Sequence, residues 1–242
     1  MDRFVGFLDV GYLDAASAST LKRSKRAITA KPDKWVQWLR ETSSHLPGSP
    51  TFLRAYWYDG AFDPRHPSYK AQRKYFDGIA EVPGIQLRLG HLKEKKTLKW
   101  HYAVKMALKN MNVDQVEFEK YFEFRPELEQ KGVDTRISLD IVRLAQRKVY
   151  DAAVLVAGDR DLAEPVRLAQ DEGCRIVLAI PDGGSVAWEL RHIADEVRHI
   201  SKPELEDLFE IDSKEDAKKS VQTSIGNESS VEVQATAGTR SD

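Results

Sequence analysis

Apolar residues recur along the chain in short dense runs separated by stretches of helical spacing. The runs "RFVGFLDV" (3–10), "PTFLRAYWYDG" (50–60), "IQLRLGHL" (85–92), "DAAVLVAG" (151–158), "CRIVLAI" (174–180) and a final "VRHI" (197–200) have the density and length of strands. Between them, the segment after the first run is most strongly helical from Pro32, where Trp35, Trp38 and Leu39 share one face. Residues 68–84 predict a helix and its exit turn, and Ile137, Ile141 and Leu144 mark an amphipathic helix. Further helices are expected over 162–172 and 185–195, with a last short one around 203–211.

Strands alternating with helices imply parallel βαβ units, because a parallel neighbour needs a crossover of a dozen or more residues. The expected architecture is an α/β domain over 1–211: three layers, Rossmann-like, with a mostly parallel sheet. Residues 93–130 break the rhythm and read as a helical insertion, basic at first and acidic later. Residues 212–242 lack aromatics and sustained apolar periodicity and are expected to be a disordered tail.

Composition changes this picture little. Lys and Arg number 37 against 38 Asp and Glu, so attraction to a polyanion would have to come from local clustering rather than net charge. No apolar stretch is long enough to cross a membrane, and the N-terminus has no secretory pattern. Together with a single cysteine, Cys174, in an apolar run, this leads us to expect a cytoplasmic location. A homo-oligomer is compatible with the sequence.

The candidate chemistry lies in acids that finish strands. Asp9 ends the first run, while Asp159 and Asp161 flank Arg160 just past the fourth. In doubly wound sheets a crevice opens at the carboxyl ends of the strands where the strand order reverses, and these two strands are neighbours there. Asp134 starts a helix behind Gly132, and on the same edge it would be the fourth member. Taken singly, Asp161 or Asp134 fits a helix cap; it is the set that points to a site. Two carboxylates about 5 Å apart repel by roughly 3 kcal/mol at an effective dielectric of 20, so a divalent cation is the economical compensation. Oxygen-only ligands favour Mg²⁺ or Mn²⁺, an ion suited to phosphodiester hydrolysis.

Two basic stretches, 21–31 with Lys22, Arg23, Lys25 and Arg26, and 91–105 with Lys95, Lys96, Lys99 and Trp100, have a composition suited to phosphates and unpaired bases. A solvated helix face with its aromatics in the core is the competing interpretation of either. Trp35, Trp38 and Trp188 are expected in the core. A haloacid-dehalogenase phosphatase would need an acid where Gly11 stands, and a receiver domain would need an acid and a lysine that "LGHL" and "AIPDGG" do not supply.

The segments "FLDVGY", "YWYDG", "QKGVDTRISLDIVRLA", "YDAAVLVAGDRDLAEPVRLAQDEGCRIVLA" and "ELRHIADEVRHI" together resemble the NYN domain of the LabA-like group, within the PIN-like nuclease superfamily. The resemblance spans about residues 3–200 apart from the insertion. It implies a PIN-like fold and metal-dependent cleavage of RNA, with catalytic and metal-binding roles for Asp9, Asp134, Asp159 and Asp161. It also gives Asp140 a supporting place. One departure is Tyr12, where such domains commonly have asparagine; a phenol lacks the amide's paired donor and acceptor. The alternative function is a non-catalytic RNA-binding or scaffolding module on the same fold.

Overall fold

In the computed structural model, which describes residues 2–95, 102–114 and 127–212, the first apolar run is a strand because both of its faces are covered. This strand, β1 (Arg3–Asp9), is buried at every position after the first. Phe4 and Leu8 face one cluster of buried side chains. Val5 and Phe7 face another on the opposite side. A strand in the middle layer of three needs no polar face, which explains its unbroken apolar sequence.

The chain continues through α1 (Val10–Leu21), β2 (Ile28–Ala30), α2 (Pro32–His45), β3 (Thr51–Ala61), α3 (Tyr69–Ala80) and β4 (Ile85–Lys95). Then come α4 (Tyr102–Asn110), β5 (Glu127–Lys131), α5 (Val133–Gln146), β6 (Ala152–Val156) and a single 3₁₀ turn (Arg160–Leu162). It closes with α6 (Ala163–Asp171), β7 (Arg175–Pro181), α7 (Trp188–Ile193), β8 (Glu196–Ile200), α8 (Lys202–Leu208) and β9 (Phe209–Ile211).

Seven strands form one sheet in the order β5-β4-β3-β1-β6-β7-β8. Neighbours in it are parallel except β4 and β5. From β1 the chain builds outward through β3 to the β5 edge, then returns to the other flank of β1 with β6. The strand order therefore reverses between β1 and β6, which makes that edge the natural position for a crevice. Helices α1, α2 and α3 cover one face with Trp35 and Trp57 at the centre. Helices α5, α6 and α7 cover the other over Phe7, Tyr56 and Tyr58.

Three expectations change. The last helix stops at Leu208, and Phe209–Ile211 pair antiparallel with Ile28–Ala30, a contact between segments remote in the chain that leaves no trace in local periodicity. The insertion read as helical also contains β5, which lies antiparallel along the outer side of β4. Trp188 is no core residue: it is 68% exposed, whereas Trp35 and Trp38 are buried as expected. The expected tail falls on residues 213–242, outside the described residues.

Candidate functional site

Asp9 is the last residue of β1 and the N-cap of α1, with only 7% of its surface exposed. Its Oδ1 accepts the Tyr12 backbone N–H at 3.2 Å. Burial pushes its carboxyl up to about 6, against the pull of the Tyr12 and Gly11 N–H groups, and the negative charges of Asp134 and Asp59 add to the rise. Helix capping thus makes an acid tolerable at the end of a buried strand.

One strand over, the chain leaves β6 and Asp159 turns it into the 3₁₀ turn. Asp159 Oδ1 accepts the Asp161 N–H at 2.9 Å, so the capping acid of this pair is Asp159 and not Asp161. Both are exposed. Asp134 lies in the first turn of α5, behind Gly132 in the left-handed region (φ 74°), and caps nothing. Its side chain is exposed at the surface, but partial desolvation raises its carboxyl, and the charges of Asp159 and Asp161 raise it further. Asp134 therefore senses both acids of the turn and is sensed by Asp9, so acids from three separated segments share one edge.

Two further acids belong to the same hollow. Asp59 follows Tyr58, the residue in register with Asp9. Burial pushes Asp59 up to about 6; its Oδ1 accepts the Gly60 N–H at 2.6 Å and the Gln130 Nε2 at 3.0 Å. Asp14, on α1, is pushed up to about 7 by burial, then by Asp59 and Asp9, with Lys25 opposing. Its Oδ1 is buried without a hydrogen-bond partner. Asp59 carries the same signal as Asp9, an acid closing an apolar run. Asp14 becomes significant only once α1 is laid across the strand ends.

Gln130 reaches this hollow from β5. A Cβ at Gly11 would stand 2.6 Å from Gln130 Oε1, so the amide lies directly on the α1 entry and a side chain at residue 11 would displace it. Gln130→Ala is expected to lower stability by about 1–3 kcal/mol, the cost of stranding a buried polar group. Urea unfolding of the metal-free chain should show the larger loss above neutral pH, where Asp59 is ionised; an unchanged midpoint there would remove Gln130 from the support of Asp59.

Tyr12 lays its ring on Gly158, where a Cβ would collide with it, and its hydroxyl ends beside Gly184. That hydroxyl is buried without a partner, and burial followed by the Asp9 charge pushes it up to about 12. Asp140 accepts the Tyr58 hydroxyl and the Arg88 Nε, each at 3.0 Å. It fastens α5 to β3 and β4, so its link to the acids runs through the helix that carries Asp134. Lys22, Arg23, Lys25 and Arg26 are exposed in the loop after α1, a helix roughly 18 Å long that carries Lys22 away from Asp9. The loop doubles back far enough for the charge of Lys25 to act on Asp14. Lys95 ends β4, while Lys96, Lys99 and Trp100 lie outside the described residues.

Among the described residues, no group of three or more His, Cys, Asp or Glu is disposed to hold a metal ion as it lies. The donor chemistry is nonetheless that of a hard dication: all carboxylate and mutually repelling, with the buried Asp9 opposed by backbone N–H groups rather than by a cation. No described helix is long and apolar enough to cross a membrane.

The family model for the NYN domain matches residues 31–201, a span that includes Asp134, Asp159 and Asp161 and begins after Asp9. An uncharacterised protein of Sinorhizobium fredii, y4oD, is 36% identical over 87 residues, which are 35% of this chain and 41% of that protein. The chain thus spans less than half the length of this curated relative. A crystal structure of a protein of unknown function from Vibrio parahaemolyticus, VPA0982, is 14% identical with a TM-score of 0.47, covering 86% of this chain and 96% of the other.

Proposed function

The chain belongs to the NYN domain family, and from that premise we propose that it is a metal-dependent ribonuclease that hydrolyses phosphodiester bonds of RNA in the hollow between the β1 and β6 ends. The observation that carries this function is that Asp9 and Asp159 leave the carboxyl ends of the adjacent parallel strands β1 and β6, with Asp134 near enough for its charge to act on Asp9 and to feel Asp159 and Asp161. Acids placed so that each raises the cost of ionising the next are poorly suited to a purely structural role and well suited to sharing a cation.

Asp9, Asp134 and Asp159 would hold Mg²⁺ or Mn²⁺, with Asp161 as a further ligand or as the base that orients water. The ion, when bound, supplies water activation and offsets charge on the phosphate. The chain contributes placement: the N–H groups at the start of α1 orient the Asp9 carboxylate, and the Asp161 N–H orients that of Asp159. The natural setting for such an RNA-directed activity is the cytoplasm.

A non-catalytic RNA-binding module is the second reading, favoured by Tyr12, whose buried hydroxyl makes no hydrogen bond and turns to Gly184. The deciding experiment incubates single-stranded RNA with Mn²⁺ and wild type, Asp134→Asn or Asp159→Asn. Cleavage by wild type alone is the expected outcome. RNA binding without products would select the binding module, and equal products from all three proteins would end the catalytic claim.

A further inference from the structure

We propose that Trp188 is a stacking platform for an unpaired base of the RNA strand entering or leaving the acidic hollow. This deepens the ribonuclease reading and rests on it. Of the tryptophans with described side chains, Trp35, Trp38 and Trp57 are buried, and Trp188 alone is mostly in water.

Its position is fixed relative to the acids by bonds on either side. The Ala187 N–H donates to the Gly158 carbonyl at 3.0 Å, and Glu189 pairs with the Arg160 Nε at 3.0 Å. The residues before and after Trp188 are thus tied to the residues before and after Asp159. One face of the indole is covered by His192, with ring centroids 4.1 Å apart and 31° between planes. The His192 Nδ1 lies 3.0 Å from the Trp188 carbonyl oxygen, which holds the imidazole in place. The result is a tilted two-ring pair with much of the indole left in water.

The surroundings select a nucleic acid over a protein. An exposed tryptophan that anchors a protein partner normally sits near the centre of a patch that can be packed and fully desolvated. Here its neighbours along the chain are Glu189, Arg191 and His192, and the Arg191 guanidinium has no carboxylate partner among the described residues. The 3₁₀ turn packs against α7, so this cation and the exposed indole lie on the helix next to Asp159 and Asp161. A cation on the same short helix and a free aromatic face beside the turn make the combination that binds single strands: charge for the phosphates, a π-face for any base.

Trp188→Ala in the full chain is expected to weaken binding of a fluorescein-labelled oligouridylate, measured by anisotropy in EDTA so that no cleavage occurs, by about tenfold. Trp188→Phe should keep most of the affinity. In Mn²⁺ the alanine variant should raise KM with kcat within about twofold, and an abasic strand should bind wild type and variant alike. Wild-type affinity and KM in Trp188→Ala, with wild type still active, would overturn the platform and leave the nuclease standing. A variant that binds RNA normally but loses self-association on sedimentation would reassign Trp188 to a protein interface and overturn it as well. A wild type that neither binds nor cleaves would remove both readings.

Discussion

Asp9→Asn is expected to cut metal-dependent RNA cleavage by at least about a hundredfold while leaving the metal-free protein as stable as wild type or more so. The two effects share one cause. Asp9 is almost wholly buried and its carboxyl is pushed up to about 6, so at pH 8 the folded chain carries a charge that its surroundings oppose. An amide keeps an oxygen to accept the Tyr12 N–H and so preserves the cap, but it removes the charge. Relief of that penalty is worth about 1–3 kcal/mol in the absence of metal. Urea unfolding with and without Mn²⁺ checks the stability half, because the variant should also lose the metal-induced gain. Full turnover in Asp9→Asn would remove the residue from the mechanism. A variant that fails to fold would show the carboxylate to be indispensable to the cap.

The parts of this site legible in the sequence are those where a local rule and a topological rule coincide. An acid ending an unbroken apolar run is locally improbable, and the α/β alternation places the first and fourth such runs side by side; Asp9 and Asp159 follow from those two facts. Asp59 satisfies the local rule equally well but resembles a strand-closing turn, since Asp–Gly is good turn chemistry. Asp14 and Gln130 obey no local rule. One needs the direction of α1, and the other needs β5 to fold back antiparallel on β4 out of a stretch read as helical insertion. Trp188 departs from the expected core for a related reason: aromatic residues at helical spacing imply a core face only on a helix with several turns to bury, and α7 has six residues. The β2–β9 pair unites residues far apart in the chain through three-residue strands, too short for any periodicity to register.

The metal-free chain is expected to be more stable near pH 5 than near pH 8, the reverse of a protein whose carboxylates sit in salt bridges. Asp9 and Asp59 are pushed up to about 6 and Asp14 to about 7, with burial the largest cause in each. An unfolded aspartate titrates near about 3.9, so between that value and 6–7 the folded chain binds more protons than the unfolded one. Stability from these groups is then fully present below about pH 4 and lost as pH rises through the folded values, by up to about 3 kcal/mol for a shift of two units. The three face one another, with Asp134 beside Asp9 and Lys25 opposing at Asp14, so their protons leave as a set. Carboxylates with the opposite sign lie outside this window: Asp151 is held down by its hydrogen bond to Arg3, and Glu204 is held down against its burial by Ser201, so both lose stability only in stronger acid. Mn²⁺ should reverse the trend by binding the ionised set, adding about 2.7 kcal/mol at a hundred times its Kd near pH 8 and little near pH 5. Asp14→Asn, outside the proposed ligands, should flatten the upper end of the profile and keep the metal response. Urea midpoints that climb steadily from pH 5 to 8 and ignore Mn²⁺ would mean that these carboxylates form no common negative hollow, and the nuclease reading would lose its physical basis.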